Sequence, residues 1–205
     1  MDYIGRIMAN ARSRLTGASD DAIKLELFNA VDEFCRETDI WQESISFVTQ
    51  ANAPDLVYDL VPTLGTIVRL VDLQVDGGAQ RGIQGAMRVP GELILATPFD
   101  AGINVTATVS LAPLDPVEAD SNFPDIDDWI WQRHFTALTD GLIMKMSAIP
   151  DKPYTSDALA VFHGKRFRNA LGVARADNIK SNVADGQTWR FPDFAVQRNT
   201  SRQVN

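Results

Sequence analysis

The spacing of apolar residues changes twice along this chain, and these two changes constrain the fold more than any other feature. Before about residue 42, and again after about residue 126, apolar residues recur every three to four positions, which is typical of α-helices. Between these parts they alternate with polar residues, as in half-buried strands. The chain therefore predicts an α+β fold, in which helices from both ends form a bundle and a small antiparallel β domain is inserted between them.

Two helices are predicted before the first strand. The first ends at Gly17, and Ser19 and Asp20 are capping candidates for the second. The only cysteine of the chain lies on the buried side of the second helix, which predicts an unreactive buried thiol. That side is formed by Ile23, Leu27, Val31, Phe34 and Cys35.

The middle region contains four short β-type segments separated by proline and glycine: ESISFVT, TIVRLVDLQVDGG, GELILATP and INVTATVSL. No crossover helix fits between neighbouring segments, so antiparallel pairing is expected, in a small β-sandwich or a curled sheet. A glycine-rich turn follows at residues 77–85. In the longest segment, alternation places five side chains on one side of the strand: Ile67, Arg69, Val71, Leu73 and Val75.

Two further helices are predicted near the C-terminus, joined by a loop that contains Pro150 and Pro153. The first carries two apolar stripes, so it should be buried on two sides. The second carries a seam with small residues that allow close approach of another helix, and the two should form an antiparallel hairpin. The stripes are Trp131, Phe135, Leu138, Leu142 and Met146, and Ile126, Ile130, Ala137, Gly141 and Met144; the seam is Ala160, Gly164, Phe167, Leu171 and Ala174.

Charges of opposite sign lie on and before this hairpin. Asp125, Asp127 and Asp128 are predicted to fall in the first turn of its first helix, where carboxylates favour the helix dipole. A heterologous interface joins two different patches of one protein, so these charges are candidates for contacts between subunits. The acidic patch is Glu118, Asp120, Asp125, Asp127 and Asp128, and the basic patch is Lys165, Arg166, Arg168 and Arg175.

The sequence offers no motif for catalysis or cofactor binding. The segment at 77–85 lacks the lysine and hydroxyl residue of a phosphate-binding loop, and the acidic stretch lacks the spacing of a calcium loop. If the two C-terminal helices pair, His134 and His163 approach, and Asp140 or Asp157 would join them in a metal site. A simpler interpretation is that both histidines are solvated or packed between helices. We expect no enzyme and no cofactor.

The net charge of −8 argues against wholesale binding of nucleic acid. The N-terminus lacks the long apolar core of a signal peptide, and no later window is apolar enough to span a bilayer. These features predict a soluble protein of a reducing cytoplasm.

Residues 186–205 have neither a helical nor a strand period, yet they contain Trp189, Phe191 and Phe194. Disordered segments are usually poor in aromatic residues. This segment is therefore interpreted as an extended C-terminal arm that binds a surface. A tail folded back on its own β domain is the alternative.

Two stretches of the chain, followed by the tail at residues 186–205, together resemble the head–tail adaptor proteins of tailed bacteriophages, also called head-completion or connector proteins. One is LFNAVDEFCRETDIWQESISF, a helix that runs directly into the first strand. The other is FPDIDDWIWQRHFTALTDGLIMKMSAIPDKPYTSDALAVFHGKRF, two helices with a PDKPY break between them. The resemblance covers roughly Asp20 to Asn178 in organisation, and its most specific part is Trp129 to Arg168.

The resemblance implies a structural protein of the virion, assembled in the host cytoplasm. It implies a ring of usually twelve copies beneath the portal, which extends the DNA channel and provides a platform for the next tail or stopper protein. Double-stranded DNA would pass through this channel without sequence-specific binding. In this family the C-terminal segment commonly clasps the portal, which implies a portal-binding arm formed by Trp189, Arg190, Phe191, Phe194, Arg198 and Arg202.

These patterns divide the chain into four parts. Residues 1–42 hold the N-terminal helices, 43–112 the β domain, 113–180 the helical hairpin, and 181–205 the arm. Two other functions stay open: a tail-completion or tail-tube component of the same virion, and a carboxylate-based hydrolase that acts at the acidic stretch.

Overall fold

A computed structural model describes residues 2–50, 57–75, 85–96, 101–114 and 126–182 of the chain. In these ranges two helices precede the strands and two follow them. The N-terminal helices are α1 (Tyr3–Arg12) and α2 (Asp20–Thr38). The strands are β1 (Gln42–Val48), β2 (Val57–Asp59), β3 (Thr66–Val75), β4 (Gly85–Val89), β5 (Glu92–Leu95) and β6 (Asn104–Ala112), and the C-terminal helices are α3 (Asp128–Ser147) and α4 (Asp157–Asn182).

Helix α3 lies at the centre of the bundle, where it contacts α1, α2 and α4. The side chains of Ala30, Gly141 and Phe167 meet where α2, α3 and α4 pack together. A Cβ atom on Gly141 would lie 2.8 Å from the Phe167 ring and 3.2 Å from Ala30. The predicted α+β fold is confirmed: helices from both ends of the chain build one bundle, and antiparallel strands are inserted between them.

The two N-terminal helices begin and end for local reasons. The Ser19 side chain accepts a hydrogen bond from the amide of Ala22, as predicted for the cap of α2. The prediction that the first helix ends at Gly17 is wrong, because α1 ends at Arg12 and a turn follows it. Gly17 adopts φ +84° in that turn, a conformation that favours glycine.

The strands form two three-stranded antiparallel sheets, with the orders β1–β6–β3 and β2–β5–β4. The predicted antiparallel pairing is confirmed. Strands β2 and β4 were not predicted, because they are only three and five residues long and lie beside the proline- and glycine-rich connections. β6 is the central strand of its sheet and contacts α2, which places the sheet against the bundle.

The side chains of β3 do not keep one phase along the strand. Its pairing with β6 shifts between Ile67 and Arg69 and again between Leu70 and Asp72. Each irregularity adds a residue and reverses the alternation. Arg69 and Val71 are therefore exposed while Ile67 is buried, and the prediction that these residues share one side is wrong.

Three contacts surround the C-terminal end of α2, where the chain passes from the bundle into the sheet. Asp39 leaves the helix in a left-handed conformation (φ 52°), and its carboxylate accepts a 2.6 Å hydrogen bond from Arg69 of β3. Asn178 of α4 donates hydrogen bonds to the carbonyls of Thr38 and Asp39. The indole of Trp41 packs against Gly65, where a Cβ would lie 2.8 Å from the ring.

Within the described ranges, none of the helices is long and apolar enough to cross a membrane. The proposed arm at residues 181–205 lies outside the described residues, apart from positions 181 and 182, which end α4.

Candidate functional site

Helix α4 presents two different faces. Its predicted seam lies against the bundle: Phe167 and Ala174 are buried, and a Cβ on Gly164 would come within 3.2–3.3 Å of the Met144 side chain of α3. The opposite face of the helix is exposed to solvent. It carries the four basic residues of the predicted patch, Lys165, Arg166, Arg168 and Arg175.

Two of these four cations form ion pairs within their own chain. Arg166 lies 3.0 Å from a carboxylate oxygen of Asp140, and Arg175 lies 3.0 Å from Glu37. Arg175 also donates to the backbone carbonyl of Glu37, so it joins α4 to α2. Among the described residues no ion pair involves Lys165 or Arg168, which leaves these two as the cations available to a partner.

The acidic patch is described only in part. Asp127 is the N-cap residue of α3, and Asp128 begins its first turn, so the prediction that Asp127 also falls in that turn is wrong. Both are exposed, and the Asp127 carboxylate accepts a hydrogen bond from the indole of Trp129, which is itself 41% exposed. Glu118, Asp120 and Asp125 lie outside the described residues.

A polar network around the buried pair Asp140 and His163 joins α3, α4 and the turn after α1. One carboxylate oxygen of Asp140 lies 2.7 Å from Nδ1 of His163, and the other binds Arg166. Arg14 lies 3.2 Å from Nε2 of His163, and a guanidinium can only donate. Nε2 therefore accepts from Arg14, and Nδ1 donates to Asp140. This network fixes the turn after α1 on the hairpin.

His134 has other neighbours. It lies at a break in the regular geometry of α3 (φ −109°, ψ 17°), and its ring centroid is 4.8 Å from that of Phe34. Its Nε2 atom is buried and makes no hydrogen bond in the described part of the chain. Burial, with a smaller contribution from the Arg133 charge, lowers the pKa of His134 below its usual 6.5.

The structure does not assemble the metal site that was considered for the histidines. His163 is committed to Asp140 and Arg14, and Asp157 lies in the first turn of α4. Over the described ranges, no group of three or more His, Cys, Asp or Glu residues is arranged to hold a metal ion. His163 is thus a buried residue that packs between helices, which was the simpler interpretation.

Cys35 is fully buried, as predicted. Burial is the main reason that the pKa of its thiol is raised from 9.0 to about 12, and the nearby Asp32 carboxylate adds to the effect. The thiolate form is therefore scarce at neutral pH, and the residue is unreactive there.

The exposed face of α4 also carries large apolar side chains that the sequence reasoning missed. Phe162 is 54% exposed, and it is accompanied on the outside of the helix by Val161, Val173 and Ile179. A signal for them was available in the sequence. Apolar residues occur all round α4, and a helix with that composition is normally covered on every side.

Comparison with known protein families and with curated proteins gives no match for this chain. The six residues proposed for portal binding, Trp189, Arg190, Phe191, Phe194, Arg198 and Arg202, lie outside the described residues. The candidate surface within the described ranges is therefore the outer face of α4, together with the exposed start of α3.

Proposed function

We propose that this chain is a structural subunit of a bacteriophage head–tail connector. In this proposal, copies form a ring of twelve subunits under the portal protein. The ring extends the DNA channel and provides the docking platform for the next tail or stopper protein. DNA passes through it without sequence-specific contacts, in keeping with the net charge of −8.

The observation that carries this proposal is the arrangement of the chain: helices from both ends form one bundle, and a pair of small antiparallel sheets is inserted between them. That is the arrangement which the resemblance of Asp20–Asn178 to connector proteins implies. The exposed apolar and basic face of α4 supports it further, because a subunit of an assembly needs faces that its own chain does not cover.

A tail-tube component is the less favoured alternative, since such proteins are usually richer in β-structure. Helical residues outnumber strand residues about two to one in the described ranges. A hydrolase is also less favoured. The buried carboxylate of Asp140 already binds Arg166 and His163, and its contacts explain it as part of the packing between helices.

Removal of residues 186–205 tests the assignment of the arm. The truncated chain should keep the circular dichroism spectrum and unfolding transition of the full chain, and it should no longer bind the portal protein of the same virus. The aromatic residues should dominate that loss, since aromatic anchors and arginines are the usual energetic centres of interfaces.

Two matched variants of the full chain sharpen this test. Replacing Trp189, Phe191 and Phe194 with alanine should weaken portal binding by about 30-fold or more, equivalent to about 2 kcal/mol. Replacing the nearby polar residues Gln187, Thr188 and Gln197 with alanine should change it by less than about threefold. Unchanged affinity of the truncated chain for the portal would refute the proposed role of the arm.

The state of the purified chain is a separate test of ring formation. The chain alone should be monomeric or loosely associated in light scattering, and it should form the ring only when the portal is added. A stable closed ring of the isolated chain would contradict assembly on a portal template.

A further inference from the structure

The outer face of α4 carries two groups of exposed apolar residues on one side of the helix, with Lys165 and Asn169 between them. At 100° per residue, Val161, Phe162, Val173 and Ile179 fall within one-third of the helix circumference, together with the small residues Gly172 and Ala176. We call this set the α4 strip. Its four large members are each more than half exposed, and nothing lies within 4 Å of the position of a Cβ on Gly172.

Phe162 is held in place on this strip before any partner binds. The guanidinium of Arg166 lies 5.6 Å from the centre of the Phe162 ring while it also binds Asp140. The His163 ring packs edge-on against Phe162, with the two centroids 5.1 Å apart. An exposed aromatic side chain whose orientation is already fixed loses little entropy on binding, so it suits the anchor of an interface.

The α4 strip cannot be covered by the other helices of its own copy. α4 contacts α2 through Phe167, Arg175 and Asn178, and it contacts α3 through His163 and Arg166. These residues all lie outside the strip, on the remaining part of the circumference. The partner of the strip must therefore come from elsewhere.

Charge indicates a second copy of the chain as that partner. α4 contains five basic and two acidic residues, a net charge of +3, whereas the whole chain has −8. α2 contains six acidic and two basic residues, a net charge of −4. Lys165 lies within the strip and Arg168 at its edge, and both are free of ion pairs among the described residues. A positively charged apolar face thus coexists with a negatively charged helix in one molecule.

The outer side of α2 also offers an apolar hollow of about 420 Å³. Leu25, which is 55% exposed, lines it together with Ala22, Ile149 and Tyr154. Glu26 and Lys152 are part of its lining, and Asp21 is exposed one turn before Leu25. The hollow is large enough for a phenyl ring.

We propose that the α4 strip of one copy docks on the outer face of α2 of the next copy, with Phe162 beside Leu25 and with Lys165 and Arg168 facing Asp21 and Glu26. The contact joins two different faces, so it is heterologous and leads from copy to copy around a ring. The inference rests on the proposed function only in assigning this contact to the connector ring.

Cross-linking between full-length copies tests this docking without the portal, because a cross-linker traps a contact that copies make even when they associate only loosely. Val161→Cys and Leu25→Cys chains are mixed and treated with a short bismaleimide, since Val161 is exposed and lies next to Phe162 on α4. The native Cys35 stays unreactive because it is buried. We expect a heterodimer cross-linked between positions 161 and 25, at a yield at least about fivefold above that of a control mixture in which Val61→Cys replaces Val161→Cys. Val61 is 77% exposed but lies between β2 and β3, away from the strip.

A charge swap tests the pairing of the two faces. The double change Lys165→Glu and Arg168→Glu should reduce the cross-link to the yield of the control. Adding Asp21→Lys and Glu26→Lys to the partner copy should restore it. A general effect on folding would not be reversed by changes in the other molecule.

Other occupants of the strip would give different results, and each would overturn the proposal. Cross-links between two Val161→Cys copies, without links to position 25, would show symmetric pairing of α4 with α4. Much faster maleimide labelling of Val173→Cys after removal of residues 183–205 would show that the chain covers the strip with its own C-terminal residues. Portal binding by the truncated chain is measured in a separate experiment. The docking of α4 on α2 can therefore fail while the role of the arm holds, and the reverse.

Discussion

Helices α3 and α4 both carry apolar residues on more than one side, but the two helices are buried to different extents. α3 contacts three helices and has eleven buried residues in twenty, so both of its predicted stripes are covered. Among the described elements α4 packs mainly against α2 and α3, and its second apolar side faces solvent. The comparison shows that the apolar pattern predicts how much of a helix is to be covered, whereas the topology decides whether the same chain provides the cover.

Substitution of the two phenylalanines of α4 tests most directly whether its two faces differ in their contribution to stability. Phe167→Ala should lower the free energy of unfolding by about 3–5 kcal/mol, because the ring is fully buried between α2 and α3. Phe162→Ala should lower it by less than about 1 kcal/mol, since the exposed ring loses only its contacts with Arg166 and with the His163 ring. Urea unfolding measures both. Equal losses would show that the outer face of α4 is part of the core of the monomer.

Substitution of two carboxylates that lie between α3 and α4 should lower the free energy of unfolding by a smaller amount. Asp140→Asn should cost about 1.5–3 kcal/mol, because it removes a buried charge that binds Arg166 and leaves an amide group facing donors. Asp177→Asn is the matched control. Asp177 is paired with Arg133 at the exposed border of the same two helices, so its loss should cost at most about 1 kcal/mol. Thermal or urea unfolding of the two variants compares them, and similar costs would mean that the Asp140 network contributes little.

The smallest effect is expected from the titration of His134, at the border between α3 and the open side of α4. Its lowered pKa means that the unfolded chain binds more protons at and below about pH 6.5. The stability that the neutral ring provides is therefore present above pH 6.5 and decreases as the pH falls below it. His134→Gln should remove this part of the pH dependence, and the difference in unfolding free energy between the two proteins, measured from about pH 8 to about pH 5.5, reports it. A difference that does not vary with pH would contradict the assignment.

Much of the fold could be predicted because the helices are long and their periods are clear. The stripe from Ile23 to Cys35, the Ser19 cap and the seam of α4 are where the sequence places them. The bulges in β3 could not be predicted, because the extra residues are set by pairing with β6, which is distant in the chain. Strands as short as β2 carry too few residues to show a period.

The candidate surface was only half predicted. The basic residues of α4 are indeed exposed, yet the sequence could not tell that Arg166 and Arg175 are bound to Asp140 and Glu37. These partners lie 26 and 138 positions away, and only the packing of the helices brings them together.

The sequence by itself determined that this chain forms helices at both ends and strands between them, since periods of 3.6 and 2 are local properties of the backbone. It also determined that α4 has apolar residues on every side. Only the tertiary structure decided which of those sides is covered, because α3 occupies the centre of the bundle and no described element lies over the outside of α4. The same packing separated the cations that are already paired from Lys165 and Arg168, because ion pairing depends on distances in space that spacing along the chain does not fix.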